Sequence, residues 1–318
     1  MTSFIIRRLM IGVLILILVT LFVFLVMRLL PGDPLMLYLS QNQIQALTPE
    51  QLSELRHQFG LDKALPIQYF DWIGGVIRGD LGKSIFQGQD VSYLIASRLP
   101  VTIYLGLLSF LISSILGILF GVICALRRGK WIDTVVTVLA NIGITVPTFW
   151  VGILLIYLFS LKLGWLPTGG FTSPFDDFGL SIRKALMPVL CLSLFSIASL
   201  TRQTRSNMLE IINQDYIRTA WAKGLCERAI ILRHTIKNAM IPVVTILGLQ
   251  VSLLFGGAVL IETIFNIPGM GRLMADAVFS HDYQVVQAGV LIISMVVVLS
   301  NLFVDISYGW FDPRIRYS

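Results

Sequence analysis

The residues that come closest to a nucleotide-binding motif are Gly82, Lys83 and Ser84. In a loop of the form G-x-x-x-x-G-K-[ST], backbone N–H groups cradle phosphates and the lysine neutralises their charge. That pattern requires a further glycine where this chain has Ile77. We therefore predict no nucleotide site here, so any ATP-driven step would need a separate ATPase subunit.

Histidine and cysteine offer no better chemistry. The three histidines are far apart in sequence, and neither H-E-x-x-H nor a Cys/His pair at metal-binding spacing is present. No Ser/His/Asp set can be placed either, and none of the three cysteines falls in a predicted external loop. We predict no catalytic residue, no metal site and no cofactor.

A polar, small-residue segment from Asp215 to Gly224 interrupts an otherwise apolar chain. It predicts a short helix, with Asn213 or Asp215 as N-cap and Gly224 in the left-handed conformation that ends a helix. Ala220 would share a face with Gly224, so that another protein could approach the backbone closely. A solvated connector helix is the alternative interpretation.

Polar residues inside apolar spans are the last candidates, because burying them in hydrocarbon is costly unless they face other helices or water. Pro147 could in addition open a helix and turn backbone carbonyls towards water. Interhelical hydrogen bonding is the alternative role for part of this set. The residues that we predict to line a translocation path are Asn141, Thr145, Pro147, Gln250 and Asn301.

Composition identifies the class of protein that must position these residues. Hydrophobic residues make up 56% of the 318 and charged residues only 13%, whereas soluble domains carry about 25% charged residues. The 24 Lys and Arg against 18 acidic residues are too few and too scattered for a nucleic-acid groove. We predict an integral membrane protein in contact with lipid and not with nucleic acid.

Six apolar runs are long enough to be membrane spans. The first follows Arg7 and Arg8; a signal peptide is the alternative, but its apolar region would be shorter and end at a small-residue cleavage site, so we predict a retained anchor. The predicted spans are 9–27, 101–126, 132–161, 185–200, 241–261 and 285–308.

The loops between the spans predict the orientation. Lys and Arg concentrate in alternate loops, including the segment that contains Arg218 and Lys223, and the opposite loops are balanced or acidic. By the positive-inside rule, the basic face is the cytoplasm. Both termini and the polar segment are therefore predicted to be cytoplasmic.

The outer segment after the first span is too long for a simple connector. Helix signals begin at Pro49 and again at Pro66, where Ile67, Phe70, Ile73 and Ile77 fall on one side. The segment is predicted to be a small folded cap, either a stabilising lid or a landing surface for a delivery protein. The predicted divisions are a first transmembrane helix (1–30), the extracytoplasmic cap (31–98), a five-helix core (99–312) containing the polar helix (213–226), and a cytoplasmic tail (313–318).

The segment from Arg218 to Gly224 reads Arg-Thr-Ala-x-Ala-Lys-Gly. Together with the features above, it resembles the coupling loop of binding-protein-dependent ABC importer permeases, in the form typical of their peptide/nickel family, with Arg and Thr where the parent pattern has Glu and Ala. Further matching segments run almost from end to end: 31–34, 60–62, 68–69, 79–82, 98–102, 147–150, 163–167, 238–242, 268–271 and 312–316.

The resemblance implies an all-α polytopic permease subunit of the B type in a bacterial or archaeal cytoplasmic membrane. It implies a second homologous permease chain, two cytoplasmic ATPase subunits and an extracytoplasmic substrate-binding protein, working by alternating access. The residues that it implies for ATPase coupling are Tyr216, Arg218, Thr219, Ala220, Ala222, Lys223 and Gly224.

The expected cargo is a di- or oligopeptide. Nickel chelates, glutathione or another small solute remain alternatives with the same architecture, because specificity would lie mainly in the binding protein. An intramembrane enzyme or a stand-alone channel is a third reading. It would require a catalytic dyad within the spans or a self-sufficient pore.

Overall fold

The computed structural model describes residues 2–29, 49–58 and 60–311. Its helices, in chain order, are α1 (Thr2–Leu29), α2 (Pro49–Gln58), α3 (Leu65–Ile77), α4 (Val91–Leu126), α5 (Trp131–Thr145), α6 (Thr148–Leu155), α7 (Phe178–Ile212), α8 (Asp215–Ala222), α9 (Lys237–Ile264), α10 (Met270–Phe279) and α11 (Tyr283–Phe311). The predicted all-α fold is confirmed. The predicted tail (313–318) and residues 31–48 of the predicted cap lie outside the described residues.

Five helices of the described chain are long and apolar enough to cross a membrane: α1, α4, α7, α11 and the helical stretch Glu227–Gln250 that leads into α9. A sixth crossing is obtained if α5 and α6, with the π-helical continuation Ile156–Lys162, form one broken span. The chain is thus polytopic, as predicted. Several helices begin or end beyond the predicted apolar runs. Their terminal turns carry polar side chains, which are not part of an apolar run.

The third predicted span (132–161) is broken into two helices at Pro147, the residue that was expected to open it. Helices α5 and α6 meet at an angle of 104° around Val146 and Pro147. The proline ring disfavours helical geometry at the residue before it, and Val146 is accordingly extended (φ −78°, ψ 129°). Pro147 then forms the N-cap of α6, so a single residue pair ends one helix and starts the next.

The chain divides into two compact units, and the first comprises Thr102–Pro268 with the chain from Leu299. Helix α7 is its central element, with contacts to α5, α6 and α9. Glycines of α4 allow that helix to approach α7 closely: a Cβ at Gly117 would lie 2.6 Å from the Cβ of Leu200, and one at Gly121 would lie 2.5 Å from the Cβ of Thr204. These contacts are the small-residue packing expected between helices in lipid.

An ion pair also joins α5 to α7 in this unit. Arg205 donates from Nε to Asp133 Oδ1 (2.7 Å) and from Nη2 to Asp133 Oδ2 (2.8 Å). The Gly129 N–H donates to the same carboxylate (3.0 Å). The fork of the guanidinium fixes both distance and orientation, as bidentate arginine–carboxylate pairs do.

The second unit comprises Thr2–Val101 and Gly269–Val298. Its apolar core combines Met27 of α1 with side chains from α4, α10 and α11, including Leu94, Met270 and Val285. Helix α3 buries Gln68 and leaves Ile67, Phe70 and Ile77 exposed. The apolar stripe of this helix is therefore turned away from the core of the unit.

Candidate functional site

Helix α8 is the segment that the sequence singled out, and its N-terminus differs from expectation. Its N-cap is Gln214, which makes no side-chain capping bond. The predicted caps are both wrong: the Asn213 amide donates to the Leu209 carbonyl in the preceding helix (2.8 Å), and Asp215 is the first helical residue. There its carboxylate lies 3.3 Å from Arg218 Nη1. The start of α8 is tied to α7 rather than self-capped.

The C-terminus of α8 forms as predicted, with Gly224 in the left-handed conformation (φ +76°). The Gly224 N–H donates to the Trp221 carbonyl (2.9 Å), and the Leu225 N–H donates to the Ala220 carbonyl (3.3 Å). This pair of bonds is the Schellman motif, which satisfies carbonyls left free at a helix end. A glycine is favoured there because other residues pay a steric cost at positive φ.

One side of α8 packs against the chain itself. Ile217 and Ala220 are buried against Ile230, with Ile211 beside them. The expectation that Ala220 lies on an open docking surface is therefore wrong, since it is only 6% exposed. Its small size instead lets α8 approach the segment that follows it.

The opposite side of α8 is exposed and carries the rest of the predicted set. Tyr216 is 43% exposed and Trp221 is 50% exposed. A Cβ at Gly224 would have no atom within 4 Å. Trp221 is not among the predicted coupling residues, although a large aromatic side chain in a short polar helix is a signal for it. The other exposed predicted residues are Arg218, Thr219, Ala222 and Lys223.

Helix α8 is joined to α9 by packing and by a hydrogen bond. The segment Ile230–Ile236, against which α8 packs, is π-helical and continues into α9. Asn238 in α9 donates from Nδ2 to the Tyr216 hydroxyl (3.2 Å) and to the His234 carbonyl (2.7 Å). Displacement of α8 would therefore be transmitted to α9. Single π-helical turns inside α-helices are frequently found at functional sites.

The predicted path residues are not brought together around one cavity of the described chain. Asn141 and Thr145 are exposed on α5, and the Thr145 hydroxyl donates to the Asn141 carbonyl (3.0 Å). Pro147 is exposed at the bend, and Asn301 is exposed on α11. Gln250 is buried and its Nε2 lies 3.5 Å from the Ser196 carbonyl. The Gln250 geometry is that of an interhelical contact.

The first unit contains an apolar cavity of about 470 Å³. It lies beside the bend and is lined by side chains of α4 to α7, including Phe120, Ile142, Trp150 and Leu194. None of the five predicted path residues lines it. Glu262 at the end of α9 is also buried, and its Oε1 accepts a hydrogen bond from the Thr102 hydroxyl (2.5 Å).

Comparison with known families assigns the class of this protein. The binding-protein-dependent transport system inner membrane component matches residues 117–317. The N-terminal part of the same kind of membrane component matches residues 1–106. The chain therefore belongs to the membrane permeases of binding-protein-dependent ABC transporters.

Two of the similar proteins align with this chain over its full length. A transport system permease protein of Brucella abortus (strain 2308) is 43% identical over 318 residues, covering all of both chains. The oligopeptide transport system permease protein AppB of Bacillus subtilis (strain 168) is 41% identical over 320 residues, again covering all of both chains.

Among solved structures, the chain resembles a chain of the MetNI methionine ABC transporter, which was solved in inward-facing conformations. The TM-score is 0.57 at 15% identity, and the match covers 69% of this chain and 97% of that one. At this identity the likeness supports the fold alone.

Proposed function

We propose that this permease is the membrane subunit of an ATP-driven importer and that α8 is its coupling helix. The observation that carries this proposal is the two-sided character of α8: Ile217 and Ala220 anchor it to its own chain, and Tyr216, Trp221 and Lys223 face outward. A solvated connector would not be expected to expose two large aromatic side chains. An ATPase surface that covers them would remove that apolar area from water.

The transmission of force follows from the contacts of α8. When a bound ATPase moves α8, Ile217 and Ala220 press on Ile230, and the hydrogen bond from Asn238 to Tyr216 moves with them. Because Ile230 begins the π-helical segment that continues into α9, the motion enters the spans there. We propose that this motion drives alternating access, in which the path opens inward and outward in turn.

The partners and the topology follow from this role. Two ATPase subunits act in the cytoplasm, where both termini of this chain lie, and a second homologous permease completes the translocation path. A substrate-binding protein delivers cargo to the opposite face, on which we place the cap. The bend at Pro147 exposes Asn141 and Thr145, and we propose that these residues, with Asn301, face the path in the assembled permease.

Peptides are the proposed cargo. Support comes from AppB, a full-length relative that is named an oligopeptide transport system permease protein. Uptake of a labelled tripeptide by cells that express the complete transporter tests this assignment. No transporter-dependent uptake of the labelled tripeptide, together with saturable uptake of a labelled nickel chelate or of labelled glutathione, would contradict the peptide assignment and leave the permease role intact.

The coupling role is tested by adding bulk on the exposed face of α8. Ala222→Trp should abolish co-purification of the ATPase subunits from native membranes while leaving the abundance of the permease unchanged. Ala96→Trp is the matched control, because Ala96 is also an exposed helical alanine but lies in α4. Equal ATPase recovery with both variants would exclude α8 as the docking element.

A further inference from the structure

A polar pocket in the second unit has no role in the function proposed above. Its volume is about 330 Å³, and it is formed by the end of α1, by α2 and α3 with the turns that follow them, and by the start of α11. The described residues that line it and that matter most here are Arg28, Trp72, Gln284 and Gln287. They come from three separate helices, so only the folded unit brings them together.

Each of these four side chains has a buried polar atom without a hydrogen-bond partner among the described residues. The atoms are Arg28 Nη1, Trp72 Nε1, Gln287 Nε2 and Gln284 Oε1. Gln287 is only 3% exposed, so its amide cannot turn out to bulk water. Leaving buried polar groups unpaired is costly, and several of them around one pocket indicate that something else satisfies them.

The arginine is held in place with one edge left open. Arg28 Nε donates to Gln68 Oε1 (2.9 Å), and Gln68 Nε2 donates to the Lys63 carbonyl (2.7 Å). The guanidinium also lies 4.9 Å from the centre of the Phe24 ring and 4.3 Å from that of Tyr283. These contacts orient the group in advance, which leaves Nη1 available to a ligand at small entropic cost.

The acidic side chains that line the pocket already have partners. Asp71 accepts from Lys63 Nζ (2.7 Å), and Asp80 Oδ1 accepts from the Gly82 N–H (2.8 Å). His57, which also lines the pocket, is bonded to Asp62 (2.7 Å). Among the described residues, the buried groups left without a partner around this pocket are three N–H donors, one of them cationic, and one acceptor.

We propose that this pocket binds an α-amido carboxylate, the –NH–CHR–COO⁻ group found at the C-terminus of a peptide or in an N-acylated amino acid. The carboxylate accepts from Arg28, Trp72 and Gln287, and the adjacent N–H donates to Gln284 Oε1. A simple carboxylate satisfies only the donors, and an amide without a carboxylate offers no charge to the guanidinium. The site does not depend on α8 coupling to an ATPase or on which cargo crosses the membrane.

The test uses purified full-length permease in mild detergent and ligand-observed saturation-transfer NMR. The probes are N-acetylglycine, acetate, N-acetylglycinamide and inorganic phosphate. N-acetylglycine should bind saturably, acetate about fivefold more weakly, and N-acetylglycinamide at least tenfold more weakly. Phosphate that binds as tightly as N-acetylglycine would show a general anion site and overturn the assignment. The absence of saturable N-acetylglycine binding would overturn it as well.

Two variants assign the contacts. Trp72→Phe removes only the indole N–H and should weaken N-acetylglycine about tenfold, whereas Trp165→Phe, at an exposed tryptophan of the first unit, should have no effect. Gln284→Leu should reduce N-acetylglycine to the affinity of acetate and leave acetate unchanged, a result that also shows that the pocket is folded. Full N-acetylglycine affinity in both Trp72→Phe and Gln284→Leu would refute the site.

Discussion

Replacing Gly224 by asparagine, alanine or valine separates two roles that this residue combines. Its positive φ of 76° closes α8, and its missing side chain leaves the surface beside the helix end open. Asparagine tolerates the left-handed conformation but adds a polar side chain. Alanine adds little volume but disfavours the left-handed conformation. Valine disfavours that conformation and also adds a larger side chain.

The expected magnitudes follow from the geometry. Since a Cβ at Gly224 meets no atom within 4 Å, none of the three variants creates a clash at that atom within the chain. Alanine at positive φ costs about 1 to 2 kcal/mol, or roughly tenfold in the population of the closed helix end. If an ATPase packs against this surface, asparagine introduces overpacking of about 1 to 3 kcal/mol, which corresponds to roughly 5- to 150-fold in association.

Association of the ATPase subunits with detergent-solubilised permease is the assay, with thermal unfolding of each variant measured in parallel. We expect Gly224→Asn to unfold as the unmodified protein does but to lose ATPase association, and Gly224→Val to lose both stability and association. Full association by Gly224→Asn, together with weakened association by Gly224→Ala, would refute the docking argument. Gly224 would then serve only to end the helix.

Three further predictions concern packing and charge. Gly121→Ala should lower the midpoint of thermal unfolding, because the added Cβ would overlap α7. Gly106→Ala on the same helix should leave the midpoint unchanged, since its Cβ meets no atom within 4 Å. Equal midpoints for the two variants would contradict this packing. Asp133→Asn breaks the partly buried ion pair with Arg205 and should destabilise the protein by about 1 to 3 kcal/mol. An unchanged midpoint would show that the pair contributes nothing. Burial raises the pKa of Asp282, so the folded protein holds that proton more tightly than the unfolded chain. Stability should therefore rise as the pH falls from above the raised pKa towards the ordinary carboxyl value, and Asp282→Asn should remove this dependence in pH-resolved unfolding.

The sequence predicted much of α8 because the relevant signals are local. The change from apolar to polar residues marks the segment, and Gly224 marks its end through its own conformational freedom. The orientation of Ala220 was not predictable in this way. It depends on the contact between Ala220 and Ile230. Only the folded chain shows that Ile230 covers the face of α8 that was predicted to receive another protein.

Apolar periodicity was a poor guide within the second unit. The pattern in α3 placed Ile67, Phe70 and Ile77 on one side, but the unit buries Gln68 instead. Gln68 is buried because it accepts a hydrogen bond from Arg28, which comes from a helix 40 residues away in sequence. Long-range pairs of this kind leave no periodic signal.

The sequence by itself determined the class of this protein: an apolar chain with few charges, several membrane-length helices and the linear motifs of a transport permease. These properties depend on composition and on the local conformational rules of glycine and proline, which hold in any surroundings. Only the tertiary structure decided which face of α8 is free. It alone brought Arg28, Trp72 and Gln287 around one pocket. Such features arise from contacts between residues distant in the chain, whose geometry is set by packing.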